Sequence, residues 1–180
     1  KMSKTSVTPC CVALVLLLLL PASGWAQQTE DSTESLDSPQ EALARISAKL
    51  ADGSVAIVKI LNIPADYHAG GSVTPRYFDK VADYQLRINL SLNKYAPQLA
   101  GLVSATRVSS HTGYPKIRWG IIFYNWKDER LGAIYFDGNG LAGVVNNSPV
   151  QFTRASKSLG LFKEPSVYEW LVSNFSCAFQ

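Results

Sequence analysis

The chain is poor in cysteine, which limits how its fold can be stabilised. It has 180 residues and three cysteines, two of which, Cys10 and Cys11, lie near the start. Cys177 alone would remain after removal of a leader, so an internal disulfide is excluded. Small secreted eukaryotic domains usually depend on disulfides, whereas this chain must fold through its apolar core. We expect Cys177 to be a packed C-terminal residue; an intermolecular disulfide is the alternative.

Residue types that carry catalytic or metal chemistry are also scarce. The two histidines, His68 and His111, fall in predicted loops without neighbouring cysteines or clustered acids. The sequence has neither a His-Glu-x-x-His zinc motif nor a Gly-x-Ser-x-Gly nucleophile motif. No two carboxylates have a spacing that marks them as a glycosidase pair. We therefore predict no catalytic residue, no metal and no cofactor.

The one long apolar run spans residues 11–20 and is broken by Pro21. Its length and basic flank are typical of a signal peptide, and it is too short to cross a bilayer. Gly24 and Ala26 are small residues at the positions that a signal peptidase inspects, so cleavage is predicted between Ala26 and Gln27. Export without disulfides favours a bacterial periplasmic or secreted protein with no stable membrane insertion. A retained membrane anchor is the alternative.

The rest of the chain has no marked excess of charge of either sign. Lys1 and Lys4 belong to residues 1–26, and without them the chain has 15 of its 17 basic residues and all 14 acidic ones. A balance this close to neutral gives no electrostatic signal for nucleic acid, so no nucleic-acid partner is predicted. Residues 27–37 are polar and acidic and should form a disordered lead-in. Residues 38–180 are predicted to be a single globular domain.

Helix and strand signals alternate through this domain. Ser38 and Glu41 form a capping box that begins a helix, and Gly53 ends it. Residues 55–63 are rich in β-branched side chains and predict a buried strand, and apolar and polar residues alternate over 82–91, which predicts a half-exposed strand. The remaining predictions are short helices at 75–80 and 155–161, longer helices from Lys94 and near Pro165, a loop at 109–115 and a strand at 150–153.

The residues from Ile117 to Val145 form three apolar and aromatic runs separated by two polar turns. This pattern is typical of an antiparallel β-meander. Asp137–Gly140 is most simply a hairpin turn, because the later acidic ligand of a calcium loop is missing. The predicted fold is α+β: a mainly antiparallel sheet, built from the meander at 117–145 and strands near 55–63 and 82–91, with helices packed on one face.

The meander has two unequal faces. With Lys127–Arg130 as the turn, Phe123 would pair with Ile134 and Ile121 with Phe136, and all four would share one apolar face. The third strand would add Leu141 and Val145 to that face and Ala142 and Val144 to the other. The opposite face would also carry Tyr124, Trp126, Leu131, Ala133 and Tyr135. Tyrosine and tryptophan are enriched at protein interfaces.

We therefore expect an exposed binding surface on the second face and the adjoining turn; a helix or the N-terminal segment covering this face is the alternative. The predicted interface residues are Tyr124, Trp126, Lys127, Asp128, Glu129, Arg130 and Tyr135. The preferred function is an immunity or inhibitor protein that neutralises a toxic effector or envelope hydrolase by steric occlusion. Two alternatives remain: a small envelope hydrolase with His68 or His111 as general base, and a module that binds a lipid or another small ligand.

Overall fold

A computed structural model describes residues 38–64, 73–90, 95–153 and 166–179. The helices are α1 (Pro39–Ala51), α2 (Pro75–Val81), α3 (Tyr95–Ala105) and α4 (Val167–Phe175), which is followed by a 3-10 turn (Ser176–Phe179). The strands are β1 (Ile57–Asn62), β2 (Tyr84–Asn89), β3 (Val108–Ser110), β4 (Ile117–Tyr124), β5 (Arg130–Asp137), β6 (Ala142–Val145) and β7 (Ser148–Phe152). The predicted α+β class is confirmed.

Local capping chemistry determines where the helices begin. The Ser38 hydroxyl accepts a hydrogen bond from the Glu41 N–H at 3.3 Å, and the Glu41 carboxylate accepts one from the Ser38 N–H at 2.8 Å. This is the predicted capping box. Ser166 and Glu169 form a second one at the start of α4. Both boxes satisfy N–H groups that a helix terminus would otherwise leave without partners.

The strands form one antiparallel sheet in the order β2-β1-β4-β5-β6-β7-β3. Strands β4 to β7 form a continuous meander, and β1 and β2 extend it on the side of β4. The predicted loop at 109–115 is wrong at its start, because Ser109 and Ser110 belong to the edge strand β3. This strand pairs with the distant β7 and has no apolar alternation of its own, so its signal is absent from local sequence.

The register between β4 and β5 differs from the prediction by two residues. Ile121 pairs with Ile134, and Phe123 pairs with Gly132. The turn begins at Asn125, two residues before the predicted start. A bulge opposite Phe123 and Tyr124 then sets the register of the two strands. A shift of two keeps each side chain on its predicted face, since strand side chains alternate with a period of two.

The first face of the sheet holds the main core. Ile121, Phe123, Ile134 and Phe136 are buried there, as predicted, and they pack with apolar side chains of α1, α3 and α4. Leu131 also packs against this core, so its predicted place on the opposite face is wrong. The bulge beside it is the reason, because the extra residue interrupts the alternation.

Helix α2 packs on the second face, which is the covered arrangement that the sequence left open as the alternative. Phe78 of α2 is buried in a separate cluster with Leu61, Ile122 and Tyr135. The Phe78 and Tyr135 rings meet edge to face with centroids 5.7 Å apart. Gly120 lies beneath them, and a Cβ there would approach Tyr135 Cδ1 to 2.9 Å. The missing side chain of Gly120 thus lets the two rings pack close to the sheet.

Cys177 is exposed, which corrects the expectation that it packs at the C-terminus. It lies on the 3-10 turn after α4, while Phe175 just before it is buried. The predicted leader, the acidic segment 27–37, His68 and the helix predicted at 155–161 lie outside the described residues. Within the described ranges, no helix has the length and apolar character needed to cross a membrane.

The close approach of β6 to β5 gives a stability test at Gly143. A Cβ at Gly143 would lie 1.9 Å from the Tyr135 carbonyl oxygen, which is backbone and cannot move aside. We expect Gly143→Ala to lower the free energy of unfolding by about 3 kcal/mol or more. Urea denaturation followed by circular dichroism measures this change.

Gly101 provides the matched control for this substitution. It lies in α3, and no atom would lie within 4 Å of an added Cβ. Gly101→Ala should raise the free energy of unfolding by about 0.5–1 kcal/mol, because alanine restricts the unfolded chain and favours helix. Equal stability of the Gly143→Ala variant and the wild type would contradict the described β5–β6 pairing.

Candidate binding surface

The turn between β4 and β5 is fixed by hydrogen bonds around Asn125. The Asn125 side-chain oxygen accepts the N–H groups of Lys127 and Glu129, each at 2.9 Å. The Asn125 backbone donates to the Glu129 carbonyl at 3.0 Å, and its carbonyl accepts from the Asp128 N–H at 3.2 Å. Asp128 adopts a φ of 65°, a left-handed conformation that aspartate tolerates better than most residues. The turn therefore has one preferred shape.

Trp126 lies at the tip of this turn and is 67% exposed. The sequence placed it at the end of a strand, but the turn begins one residue earlier. Lys127, Asp128 and Glu129 follow it in the turn and are exposed as well. A large aromatic side chain on a hydrogen-bonded turn can enter a pocket of a partner with little loss of conformational entropy.

Tyr135 is fully buried, which removes it from the predicted interface. Helix α2 covers it, and its hydroxyl donates to Asp79 of that helix at 2.7 Å. Arg130 donates to the Tyr135 hydroxyl and to the Asp79 carboxylate, each at 2.8 Å. Burial is the main reason that the pKa of Tyr135 is raised well above its ordinary value. We call Asp79, Arg130 and Tyr135 the tyrosine network.

Arg130 and Tyr124 differ from Tyr135 because both reach solvent. The side chain of Arg130 is 40% exposed, although its guanidinium takes part in the tyrosine network. Its pKa is raised: burial lowers it, but the nearby Tyr135 and Asp79 more than offset that effect. Tyr124 is half-buried, and burial raises the pKa of its hydroxyl. These two side chains connect the covered part of the second face to the turn.

The part of the second face beyond α2 forms an open polar concavity of about 440 Å³ between β1, β2 and the turn. Its lining residues are Lys59, Gln85, Leu86, Arg87, Tyr124 and Asp128. Lys59 of β1 and Arg87 of β2 are register partners, so their side chains are direct neighbours across the strands. Arg87 also forms an ion pair with Asp128 of the turn.

Sequence reasoning missed Lys59, Gln85 and Arg87 as site residues. The β-branched composition of residues 55–63 predicts a buried strand, although Lys59 interrupts their apolar character. The alternation over 82–91 did place Gln85 and Arg87 together on its polar side. The cluster forms only when these two strands pair, and the segment that contains α2 separates them along the chain, so their register cannot be read from local sequence.

The other chemistry considered from the sequence has little geometric support. Among the described residues, His111 forms no ion pair with a carboxylate, and no group of three potential metal ligands occurs. His68 lies outside these residues. Asp137 Oδ1 accepts the N–H groups of Asn139 and Leu141 at 3.2 and 2.9 Å, so this carboxylate stabilises a turn as predicted.

Comparison with known proteins gives no relative of this chain. No protein-family model, no curated protein and no solved structure matches it. The function therefore has to be argued from the surface itself.

The tyrosine network gives a prediction about stability and pH. Tyr135→Phe removes the buried hydroxyl and should lower the free energy of unfolding at pH 7 by about 1–2 kcal/mol. The folded pKa of Tyr135 is raised, so its contribution is complete below the unfolded pKa of about 10 and falls as the pH rises further. The wild type should therefore lose up to about 1.4 kcal/mol per pH unit above pH 10 through this residue.

Urea denaturation between pH 7 and pH 11 tests both parts. Tyr135→Phe should be less stable than the wild type at pH 7 and should show a shallower alkaline decline. Tyr77→Phe is the control, since Tyr77 is an exposed tyrosine of α2 and its replacement should change the free energy of unfolding by less than about 0.5 kcal/mol at pH 7. An alkaline decline as steep in Tyr135→Phe as in the wild type would show that Tyr135 does not titrate as described.

Proposed function

We propose that the protein is an exported bacterial inhibitor or immunity protein that neutralises a toxic effector or envelope hydrolase by occluding its active site. The blocking element is the β4–β5 turn, with Trp126 at its tip. The leader-like residues 1–26 support export. The observation that carries the binding proposal is the 67% exposure of Trp126 on a turn fixed by Asn125.

The combination of exposure and fixed geometry favours binding to a protein. An exposed tryptophan has an energetic cost in water that is recovered when a partner covers it, and tryptophan is among the residues that contribute most at interfaces. The hydrogen bonds of Asn125 fix the turn before binding, so little ordering is required on association. Tyr124, Arg130 and the exposed charges of Lys127, Asp128 and Glu129 would form the polar border of the interface.

A small-molecule site is less well supported by the same geometry. Small-ligand pockets are mostly apolar and bury most of the ligand. The concavity beside the turn is open to solvent and lined mainly by polar side chains. Such a surface suits a protruding group of a protein partner better than an enclosed ligand.

The test begins with the full chain expressed in a bacterial host and purified from the periplasm. Immobilised wild type and Trp126→Ala are incubated with envelope extracts and media of competing bacteria, and the hydrolytic activity of captured proteins is assayed with and without the exported protein. The wild type should capture a hydrolase or toxin and suppress its activity. Trp126→Ala should bind it about thirtyfold more weakly, as for a central interface tryptophan.

Tyr84→Ala is the matched control for this experiment. Tyr84 is also an exposed aromatic residue, at 37%, but it pairs with Asn62, while Tyr124 next to the turn pairs with Ile57. These positions are five residues apart along β1, or about 17 Å. Tyr84→Ala should bind like the wild type. Equal binding by Trp126→Ala, or a captured enzyme that remains active, would overturn the proposal.

A further inference from the structure

We infer that the concavity on the second face binds an acidic side chain of the protein partner, with Lys59 as its principal cation. The inference rests on the proposed function, because it names the chemistry that the partner must present beside the pocket that receives Trp126. The predicted interface contained neither Lys59 nor Arg87, so the site adds a second recognition element to the turn.

Two like charges face each other across β1 and β2. Lys59 and Arg87 are directly opposed in register and both line the concavity. Like charges in this position destabilise a sheet. Asp128 pairs with Arg87 and so compensates one of the two positive charges. The ammonium group of Lys59 has no ion-pair partner among the described residues.

The carboxylates near the concavity already accept hydrogen bonds from the protein itself. Asp79 accepts hydrogen bonds from Tyr135 and Arg130. Asp128 accepts from Arg87, and Glu129 accepts from the Asn125 amide. An arginine carries five N–H donors, and the ion pair with Asp128 uses only part of those of Arg87. The lining of the concavity carries two cations, Lys59 and Arg87, against one carboxylate, Asp128, and this excess of positive charge favours a carboxylate ligand.

The concavity is continuous with the β4–β5 turn. Asp128 belongs to the turn that carries Trp126 and also lines the concavity. A partner that covers Trp126 would thus place its neighbouring residues over Lys59 and Arg87. Lys59 lines the concavity and is half-buried, so an approaching carboxylate would meet it in a partly desolvated setting, where charge pairs are stronger than in open solvent. The ligand is accordingly an Asp or Glu side chain of the partner surface.

The site can be tested without the partner by using hexaglutamate as a probe. Amide resonances of the isotope-labelled exported protein are followed by NMR during titration with hexaglutamate, with hexalysine as the charge-reversed peptide and with inorganic phosphate. Hexaglutamate should bind with a dissociation constant on the order of 1 mM and shift Lys59, Arg87 and Tyr124. Hexalysine should leave these resonances unchanged, and the affinity for hexaglutamate should fall as salt is raised.

Variants of Lys59 separate a specific site from general attraction. Lys59→Gln should weaken hexaglutamate binding about fivefold or more, and Lys59→Arg should largely retain it because the charge is kept. Lys49→Gln removes one positive charge from α1, whose apolar side chains pack on the opposite face, and should bind like the wild type. Equal weakening by Lys49→Gln and Lys59→Gln, or no shift at Lys59, would overturn the site. Tighter binding of phosphate than of hexaglutamate would overturn the assignment to a protein side chain.

The two proposals fail in different ways. Loss of partner binding by Trp126→Ala together with normal hexaglutamate binding by Lys59→Gln would remove the acidic-group site and leave the inhibitory turn. Lys59-dependent hexaglutamate binding together with unchanged partner binding by Trp126→Ala would retain the site and remove the proposed function.

Discussion

The buried hydroxyl of Tyr135 is the constraint on which the second face of this protein depends. A buried hydroxyl without a hydrogen-bond partner is costly, and here Asp79 and Arg130 supply the partners. Because Asp79 belongs to α2, the network holds that helix over one half of the face. Because Arg130 is the first residue of β5, the same network anchors the strand end that follows the turn. The tyrosine network thus fixes both the position of α2 over the covered part of the face and the end of the turn beside the open part.

This division gives the aromatic residues predicted for the second face different roles. Tyr135 and Tyr124 lie on the same face of the sheet, as expected, but only Tyr124 reaches solvent. Tyr135 orders the fold, whereas Trp126, held by Asn125 on the turn, is available to a partner. The surface proposed for binding is therefore the turn together with the polar half of β1 and β2, and it excludes the middle of the meander.

Most of the fold could be predicted because its signals are local. The capping box at Ser38, the alternation in β2 and the polar turns of the meander each depend on a few neighbouring residues. The predictions that were wrong or incomplete depended on distant contacts. Strand β3 forms through pairing with β7, and α2 packs on the second face through Phe78. The register shift is the exception, because it follows from the turn at Asn125, whose side-chain hydrogen bonds to Lys127 and Glu129 are local. The candidate site was found in part for the same reason: the turn is local in sequence, while Lys59 and Arg87 meet only through strand pairing.

In the proposed complex, Trp126 and the surface beside it are covered by the partner. Hydroxyl-radical footprinting of the purified protein, free and bound to the proposed partner, measures the exposure of each of these side chains. We expect oxidation of Trp126 and Tyr124 to fall in the complex, while Tyr84, at the start of β2 and opposite Asn62 of β1, is oxidised as in the free protein. Unchanged oxidation of Trp126 in a complex that protects Tyr84 would contradict it.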